Sequence, residues 1–181
     1  ISAAQRFVER WERAAVNERG AAHSHFTELC QVLGVPTPMH ADPQGSWYLF
    51  EKPVSKAGGG AGFADVWRDG VFVWEYKGKG KSLRLAEQQI RNYKSDLGNP
   101  PVMVLCNFTD YELYIEFTGF KTRVETFTNA DLLNAATRDL LRAALTDPQQ
   151  LRPAEKTLTI TEKIARKFGD VAQLVERRGH D

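Results

Sequence analysis

Two apolar segments on either side of Asp69-Gly70 constrain the fold most, because they predict a β-hairpin that carries three charged side chains. Asp65 lies on the first predicted strand, and Glu75 and Lys77 lie on the second. Residues two apart on a strand share one face of the sheet, so Glu75 and Lys77 point to the same side. Whether Asp65 joins them depends on the pairing of the strands, since a slip of one residue reverses the face.

Two turns are compatible with this hairpin, and only one of them brings the charged residues together. A two-residue turn at Asp69-Gly70 pairs Asp65 with Trp74 and separates the two carboxylates. A three-residue loop of residues 68–70 pairs Asp65 with Val73 instead, and we predict this loop or an equivalent bulge. One face then carries Asp65, Val73, Glu75 and Lys77, and the other carries Val66, Phe72, Trp74 and Tyr76 as packed core.

Carboxylates that converge in this way can bind Mg²⁺, which prefers oxygen ligands and bridges readily to phosphate. A neighbouring lysine can orient a water molecule and offset the charge that builds during phosphodiester hydrolysis. Asp65 and Glu75 are therefore candidate metal ligands, and Lys77 is a candidate catalytic residue. The alternative is a half-exposed hairpin with ordinary surface charges, and the spacing alone leaves it open.

The residues around this hairpin resemble a known nuclease family. Asp-x9-Glu-x-Lys, preceded by Gly62-Phe63-Ala64, resembles the PD-(D/E)xK motif, although Ala64 stands where the motif has proline. More narrowly, it resembles the amino-terminal endonuclease domain of the MmeI-like (type IIL) enzymes. These single-chain type II restriction-modification proteins join a nuclease to a DNA adenine-N6 methyltransferase. Gln89-Ile90-Arg91-Asn92-Tyr93 resembles the helix motif of RecB-like nucleases, and Asn99-Pro100-Pro101 before an apolar strand fits the next element.

This resemblance implies an α/β fold with a PD-(D/E)xK restriction-endonuclease-like core in the order helix, three strands, helix, strand, with additional strands and C-terminal helices. It implies a Mg²⁺-dependent endonuclease that acts on double-stranded DNA in phage defence, with a homodimer as a route to cutting both strands. S-adenosylmethionine would bind only in a downstream methyltransferase domain, and a target-recognition domain of the same chain would read the sequence. We expect the nuclease domain in residues 1–130 and a helical connector in residues 131–181.

The resemblance also implies supporting residues. Gln89 and Tyr93 lie four apart on one predicted helix face, where they would brace the site and touch DNA. The backbone carbonyl of Tyr76 is an additional candidate metal ligand. A carboxylate from the opening helices often completes the metal site in this superfamily, and we choose Glu18 first and Glu28 second. Simple core packing of Tyr93 and surface positions for both glutamates remain the alternatives.

Lysines continue beyond the hairpin in the segment Lys77-Gly78-Lys79-Gly80-Lys81. Lys79 and Lys81 could meet DNA phosphates, which would steepen the salt dependence of binding without specifying sequence. A solvated lysine loop is an equally good interpretation of these two residues.

Bulk properties limit the remaining choices. Lys and Arg total 24 and Asp and Glu total 23, so the net charge of +1 gives no global sign of a nucleic-acid binder. Cys30 and Cys106 lie inside apolar runs, which favours reduced core thiols over a disulfide. No apolar stretch approaches the roughly 18 residues of a membrane span. We therefore expect a cytoplasmic protein without a secretory leader.

Other kinds of site fit less well. His23, His25 and His40 have no zinc-ligand spacing with the cysteines. Gly58-Gly59-Gly60 lacks the Lys-Ser/Thr of a phosphate-binding loop. Two rival functions remain open: a stand-alone RecB-like nuclease, and an inactive nuclease-shaped domain that binds DNA or scaffolds an assembly.

The chain begins at Ile1 without methionine and ends after a last predicted helix, so we expect a piece of a longer protein. The apolar stripe of that helix would join the nuclease to the next domain or pack against a second copy. Its residues are Ile160, Ile164, Phe168, Val171 and Val175.

Overall fold

The centre of the fold is a six-stranded mixed sheet in the order β1-β2-β3-β4-β5-β6. In the computed structural model, residues 1–14 and 18–154 are described, together with positions 164, 165 and 168. The strands are β1 (Tyr48–Ser55), β2 (Ala61–Arg68), β3 (Phe72–Tyr76), β4 (Val102–Cys106), β5 (Asp110–Ile115) and β6 (Arg123–Thr128). The helices are α1 (Ala3–Arg13), α2 (Glu18–Leu33), α3 (Pro38–Ala41), α4 (Arg84–Tyr93) and α5 (Ala135–Thr146), with 3-10 turns at Lys94–Leu97, Ala130–Leu133 and Pro148–Leu151.

Neighbouring strands are antiparallel except β3 and β4, which run parallel. A parallel pair needs a crossover, and α4 supplies it between these two strands. The predicted order of helix, three strands, helix, strand is therefore present, in α2, β1 to β3, α4 and β4. The fold is mixed α/β, as expected.

Helices cover both faces of the sheet. The larger core joins the face that carries Trp74 to Phe26 of α2 and Leu141 of α5. On the opposite face, Val73 and Met103 pack with Ile90 of α4. All residues of β3 and β4 are buried because both of their faces are covered.

Local signals explain the first helix and the end of the crossover. Ser2 caps α1 by accepting from the Gln5 backbone, and Gln5 accepts from the Ser2 backbone in return, which forms a capping box. After α4 the chain tightens into a 3-10 turn that stops at Gly98, whose φ is 75°. Glycine adopts this left-handed conformation without steric cost, so the turn ends there.

The β2–β3 hairpin has a three-residue loop, but the loop is shifted one residue from our prediction. Arg68 pairs with Phe72, and the Val71 N–H donates to the Arg68 carbonyl at 3.1 Å. The predicted pairing of Asp65 with Val73 is wrong, since Val73 pairs with Trp67. The strands are displaced by an even step of two residues, so Val66, Phe72, Trp74 and Tyr76 share the predicted core face and Val73 lies on the other.

The compact unit of the chain extends beyond the predicted domain boundary. It comprises Ile1–Leu151, and Arg152–Asp181 form a second unit. Leu141, Ala144 and Leu145 of α5 are buried in the main core, so residues 131–151 belong structurally to the first unit. The boundary at residue 130 therefore does not coincide with the end of this unit, and the functional division remains a prediction.

Three further expectations concern the cysteines, membranes and the last helix. Cys30 and Cys106 are free and buried. Among the described residues, no helix is long and apolar enough to cross a membrane. Ile164 and Phe168 of the last apolar stripe are helical and exposed, whereas Ile160, Val171 and Val175 lie outside the described residues.

Candidate active site

Glu75 is the centre of a hydrogen-bonded cluster on the α4 side of the sheet. It lies near the end of β3 and is only 3% exposed. Its Oε2 accepts from the Tyr93 hydroxyl at 2.7 Å, and its Oε1 accepts from the Lys77 ammonium at 3.2 Å. Lys77 also donates to Oε1 of Gln89 at 2.8 Å. Four predicted site residues are thus joined in one network.

The α4 crossover positions two members of this network. Ala86 and Ile90 are buried against the sheet and fix the orientation of the helix. Gln89 and Tyr93, four residues apart, both reach the end of β3 because residues at this spacing share a helix face. Tyr93 is 1% exposed, so it packs in the core and also bonds to Glu75. Core packing of Tyr93 is confirmed, and its role in bracing a nuclease site and touching DNA stays a prediction.

The Asp65 side chain contacts the same end of β3 by bonding to the backbone of Tyr76. Its Oδ2 accepts from the Tyr76 N–H at 2.6 Å. Phe50 pairs with Val66 on β1 and β2, and Lys52 pairs with Ala64, so Asp65 lies opposite Glu51. Glu51 has a φ of 51°, in the left-handed region that non-glycine residues seldom occupy.

The side chains of β2 change faces of the sheet between Ala64 and Val66. Val66 packs in the larger core, whereas Ala64 packs in the α4 core, although regular strand alternation would place both on one face. Left-handed backbone at non-glycine residues is strained and tends to occur at functional sites. Here the left-handed residue is Glu51, and it lies opposite Asp65 where the regular pairing of β1 and β2 is interrupted.

The groups around Glu75 have opposite effects on its pKa. The pKa of Glu75 is raised to about 7 on balance: burial and then the nearby charge of Asp65 raise it, while the hydrogen bond from Tyr93 and the charge and hydrogen bond of Lys77 lower it. Burial also raises the pKa of Tyr93, and the Glu75 charge adds to that shift. Tyr93 therefore remains a neutral donor. Glu75 is a carboxylate whose ionised form lacks sufficient compensation from the protein.

Comparison with known proteins identifies the family. Residues 2–178 match the family described as the MmeI N-terminal domain. The chain belongs to this family. No curated protein and no solved structure matches the chain. Membership in this family suggests that the chain is part of a restriction-modification enzyme. The role of each residue has to be argued from the geometry of the site.

The Tyr76 side chain lies on the face opposite the cluster in this MmeI N-terminal domain. Its hydroxyl is 2.8 Å from Nδ1 of His25, and the His25 Nε2 is 3.3 Å from the Tyr111 hydroxyl. Only the backbone of Tyr76 reaches the site, through its N–H to Asp65. A role for its carbonyl as a metal ligand remains a prediction.

The helix-borne carboxylates have separate outcomes. Glu18 begins α2, but its side chain lies outside the described residues. Glu28 accepts from the Trp11 indole at 3.1 Å and pairs with Arg10 at 2.9 Å. Within the described part of the chain, no group of three or more His, Cys, Asp or Glu residues could hold a metal. Glu28 therefore takes part in the α1–α2 contact, and a role as a metal ligand for Glu18 or Glu28 stays a prediction.

The two lysines beyond Lys77 differ from each other. The Lys79 ammonium donates to the backbone carbonyls of Trp11, Glu12 and Ala14 at 3.0, 2.8 and 3.0 Å. Lys81 is exposed. Lys79 is thus held by α1 and is not a solvated loop residue, whereas its contact with DNA phosphate stays a prediction. The lysine-rich sequence gave no signal of this role, because the acceptors come from the distant α1.

Proposed function

We propose that this MmeI N-terminal domain is a Mg²⁺-dependent DNA endonuclease that hydrolyses phosphodiester bonds. The observation that carries the proposal is the hydrogen-bonded cluster of Glu75, Lys77, Gln89 and Tyr93, with Asp65 bonded to the backbone beside it. Charged groups of this kind, held by packed elements, suit a reaction that needs mainly positioning and charge neutralisation.

The fold around the cluster supports a PD-(D/E)xK core. Its acidic residues lie on the antiparallel β2 and β3, and its glutamine and tyrosine lie on the crossover to the parallel β4. This is the order of elements that the motif requires. We therefore propose that β1 to β4, with α2 and α4, form that core.

The chemistry of two carboxylates supports the proposal of a divalent cation, with further ligands needed beyond them. Asp65 and Glu75 would hold Mg²⁺ through carboxylate oxygens, the ligand type that this ion prefers. The buried Glu75, whose pKa of about 7 reflects an under-compensated negative charge, is suited to a cation neighbour. When bound, Mg²⁺ supplies positive charge beside the scissile phosphate. The Tyr76 carbonyl and Glu18 are our proposed further ligands.

The protein residues have distinct roles in this proposal. Lys77 orients the attacking water and offsets the charge that develops on the phosphate, since Glu75 and Gln89 hold its ammonium from two sides. Tyr93 fixes the Glu75 carboxylate by donating to one of its oxygens. Gln89 keeps the Lys77 side chain in place.

We further propose that the domain works within a larger restriction-modification enzyme in the cytoplasm. A downstream methyltransferase domain with S-adenosylmethionine would protect host DNA, and a target-recognition domain would select the site. The domain would act on double-stranded DNA, with Lys81 at a phosphate and a second copy cutting the other strand. The family membership supports this context.

Two alternatives differ in what they predict. A stand-alone RecB-like nuclease would cleave without a methyltransferase in the same protein. An inactive DNA-binding or scaffolding domain would bind DNA without cutting it. The cluster argues against an inactive domain, because all five motif residues are present: Glu75, Lys77, Gln89 and Tyr93 bond to one another, and Asp65 bonds to the Tyr76 backbone beside them.

Cleavage by the intact protein tests the proposal. Plasmid DNA with Mg²⁺ is incubated with the wild type and with Glu75→Ala and Lys77→Ala variants. Each variant should lose at least about 100-fold in rate, the scale expected when a charge-stabilising group is removed. Glu125→Ala and Lys121→Ala are matched controls, since both residues are remote from the cluster and at least partly exposed.

Wild-type binding without cleavage would favour the scaffold alternative. Cleavage that survives both site substitutions would defeat the proposed mechanism.

A further inference from the structure

Lys79 has an unusually complete set of partners for a lysine on a loop. Its ammonium has three N–H donors and lies at hydrogen-bond distance from the carbonyls of Trp11, Glu12 and Ala14. The three donors thus match three acceptors. No donor is left to meet a DNA phosphate.

The acceptors lie where α1 ends. The last carbonyls of a helix have no partner within the helix, and the helix dipole places partial negative charge there. Ala14 caps α1 through its N–H to Arg10, and its own carbonyl is among those that Lys79 binds. A lysine at this position satisfies both the open acceptors and the dipole.

Lys79 lies in the segment of residues 77–81, and hydrogen bonds hold both ends of this segment in place. The Lys77 N–H donates to the Cys106 carbonyl of β4 at 2.8 Å. The Lys81 N–H closes a turn onto the Gly78 carbonyl at 2.9 Å, and the Asn107 amide donates to the Lys81 carbonyl at 3.2 Å. Lys79 holds the middle of the segment through its hydrogen bonds to the end of α1.

We propose that Lys79 is a positioning residue that fixes the segment of residues 77–81 to the end of α1 and thereby holds the Lys77 ammonium between Glu75 and Gln89. This inference rests on the proposed nuclease function of the Glu75 cluster. Lys77 has a flexible four-carbon side chain, so its ammonium stays between Glu75 and Gln89 only while its backbone remains within reach of both partners. A displacement of about 1 Å at a catalytic group can reduce the rate about 100-fold.

Two other roles for Lys79 predict different kinetics. A phosphate contact would contribute to DNA affinity and to its salt dependence, with a slope change of about one unit in log K against log salt. A helix cap without a positioning role would contribute to stability alone. Only a positioning residue changes the turnover number while leaving DNA binding intact.

The test compares Lys79→Met with Lys81→Met and Lys121→Met in the intact protein. Methionine keeps the apolar stem but cannot donate to the carbonyls, and Lys121 is an exposed lysine between β5 and β6. For Lys79→Met we expect kcat to fall at least tenfold, with KM for DNA and the salt slope within twofold of wild type. Lys81→Met should instead raise KM and reduce the slope. Lys121→Met should change neither quantity.

Rates are measured well below the melting temperature of every variant, so that loss of folded protein is excluded. Lys79→Arg retains charge and donors and should recover part of the kcat. A lower salt slope with normal kcat in Lys79→Met would overturn the proposal in favour of a phosphate contact. A lower melting temperature with normal kcat would overturn it in favour of a simple cap.

Amide hydrogen exchange separates this inference from the proposed nuclease function. In Lys79→Met, the amides of residues 77–81 should exchange at least tenfold faster, while those of α4 keep their wild-type rates. If wild type fails to cut DNA but this change is seen, the nuclease proposal fails and the anchoring role stands. Unchanged exchange in residues 77–81 would overturn the anchoring role whether or not DNA is cut.

Discussion

Replacing Glu75 with glutamine should stabilise the fold at neutral pH, although the side chain belongs to the candidate active site. Burial raises the Glu75 pKa from 4.5 to about 7, so the folded protein binds the proton more tightly than the unfolded chain. Between these two values the folded state carries more bound protons, and stability falls as the pH rises. Below pH 4.5 the carboxyl is protonated in both states and the penalty vanishes.

The size of the effect follows from the shift. A tenfold change in proton affinity corresponds to about 1.36 kcal/mol, so the rise of the Glu75 pKa from 4.5 to about 7 makes the ionised carboxylate cost about 3 kcal/mol above pH 7. Glutamine carries no charge at any pH and can still accept from Tyr93 or Lys77. The gain of Glu75→Gln over wild type should therefore grow by about 3 kcal/mol from pH 4 to pH 8.

Urea unfolding followed by tryptophan fluorescence measures this gain, in buffers free of divalent cations. Taking the difference between the two proteins at each pH cancels the titration of every group that does not interact with Glu75. Glu125→Gln, at a partly exposed ion pair on β6 outside the cluster, is the matched control for replacing a glutamate with glutamine. A difference between Glu75→Gln and wild type that is flat from pH 4 to pH 8 would refute the reasoning.

Three further substitutions test separate parts of the account. Tyr93→Phe removes the hydroxyl that orients Glu75 while keeping the packed ring, so DNA cleavage should fall about tenfold, whereas Tyr114→Phe on β5 should cut normally. Burial lowers the His25 pKa from 6.5 to about 3, so stability should fall as the pH drops through this window, and urea titration of His25→Gln should show that dependence reduced. Gly70→Ala should cost about 1 kcal/mol in the same assay, because φ is 65° in a turn with open space around it; an unchanged midpoint would contradict the assigned loop.

The hairpin shows how far local sequence rules extend. Strand alternation and the glycine turn correctly predicted a register of β2 and β3 that differs from the observed one only by an even step, which preserves the faces of the paired residues. They did not predict the position of the loop, since Gly70 can be left-handed as its middle or its last residue. The tertiary contacts of β2 and β3 decide between those positions.

The helix on the crossover was predictable for a similar reason. Gln89 and Tyr93 share a face by spacing, and the chain can place that face only over the parallel pair that the helix connects. The apolar pattern of α4 supplied the orientation. Their bonds to Lys77 and Glu75 follow from this arrangement.

Local sequence patterns could not predict the interactions between segments that lie far apart in the chain. The carbonyls that bind Lys79 lie 65 to 68 residues earlier in the chain, and they become acceptors only because α1 ends there. Glu28 likewise gave no sign that Trp11 and Arg10 would engage it. Helical spacing identifies a face, but the packing of α1 on α2 decides which partners that face meets.

The central claim is that Asp65 and Glu75 hold Mg²⁺ for DNA cleavage, and the Mg²⁺ dependence of the cleavage rate tests it most directly. The intact wild type and its Asp65→Asn variant are titrated with Mg²⁺ on the same DNA. We predict that wild type cuts only with Mg²⁺ and that Asp65→Asn is at least about 100-fold slower at saturation. Cleavage by wild type in the presence of a chelator, or cleavage by Asp65→Asn at the wild-type rate, would contradict the account.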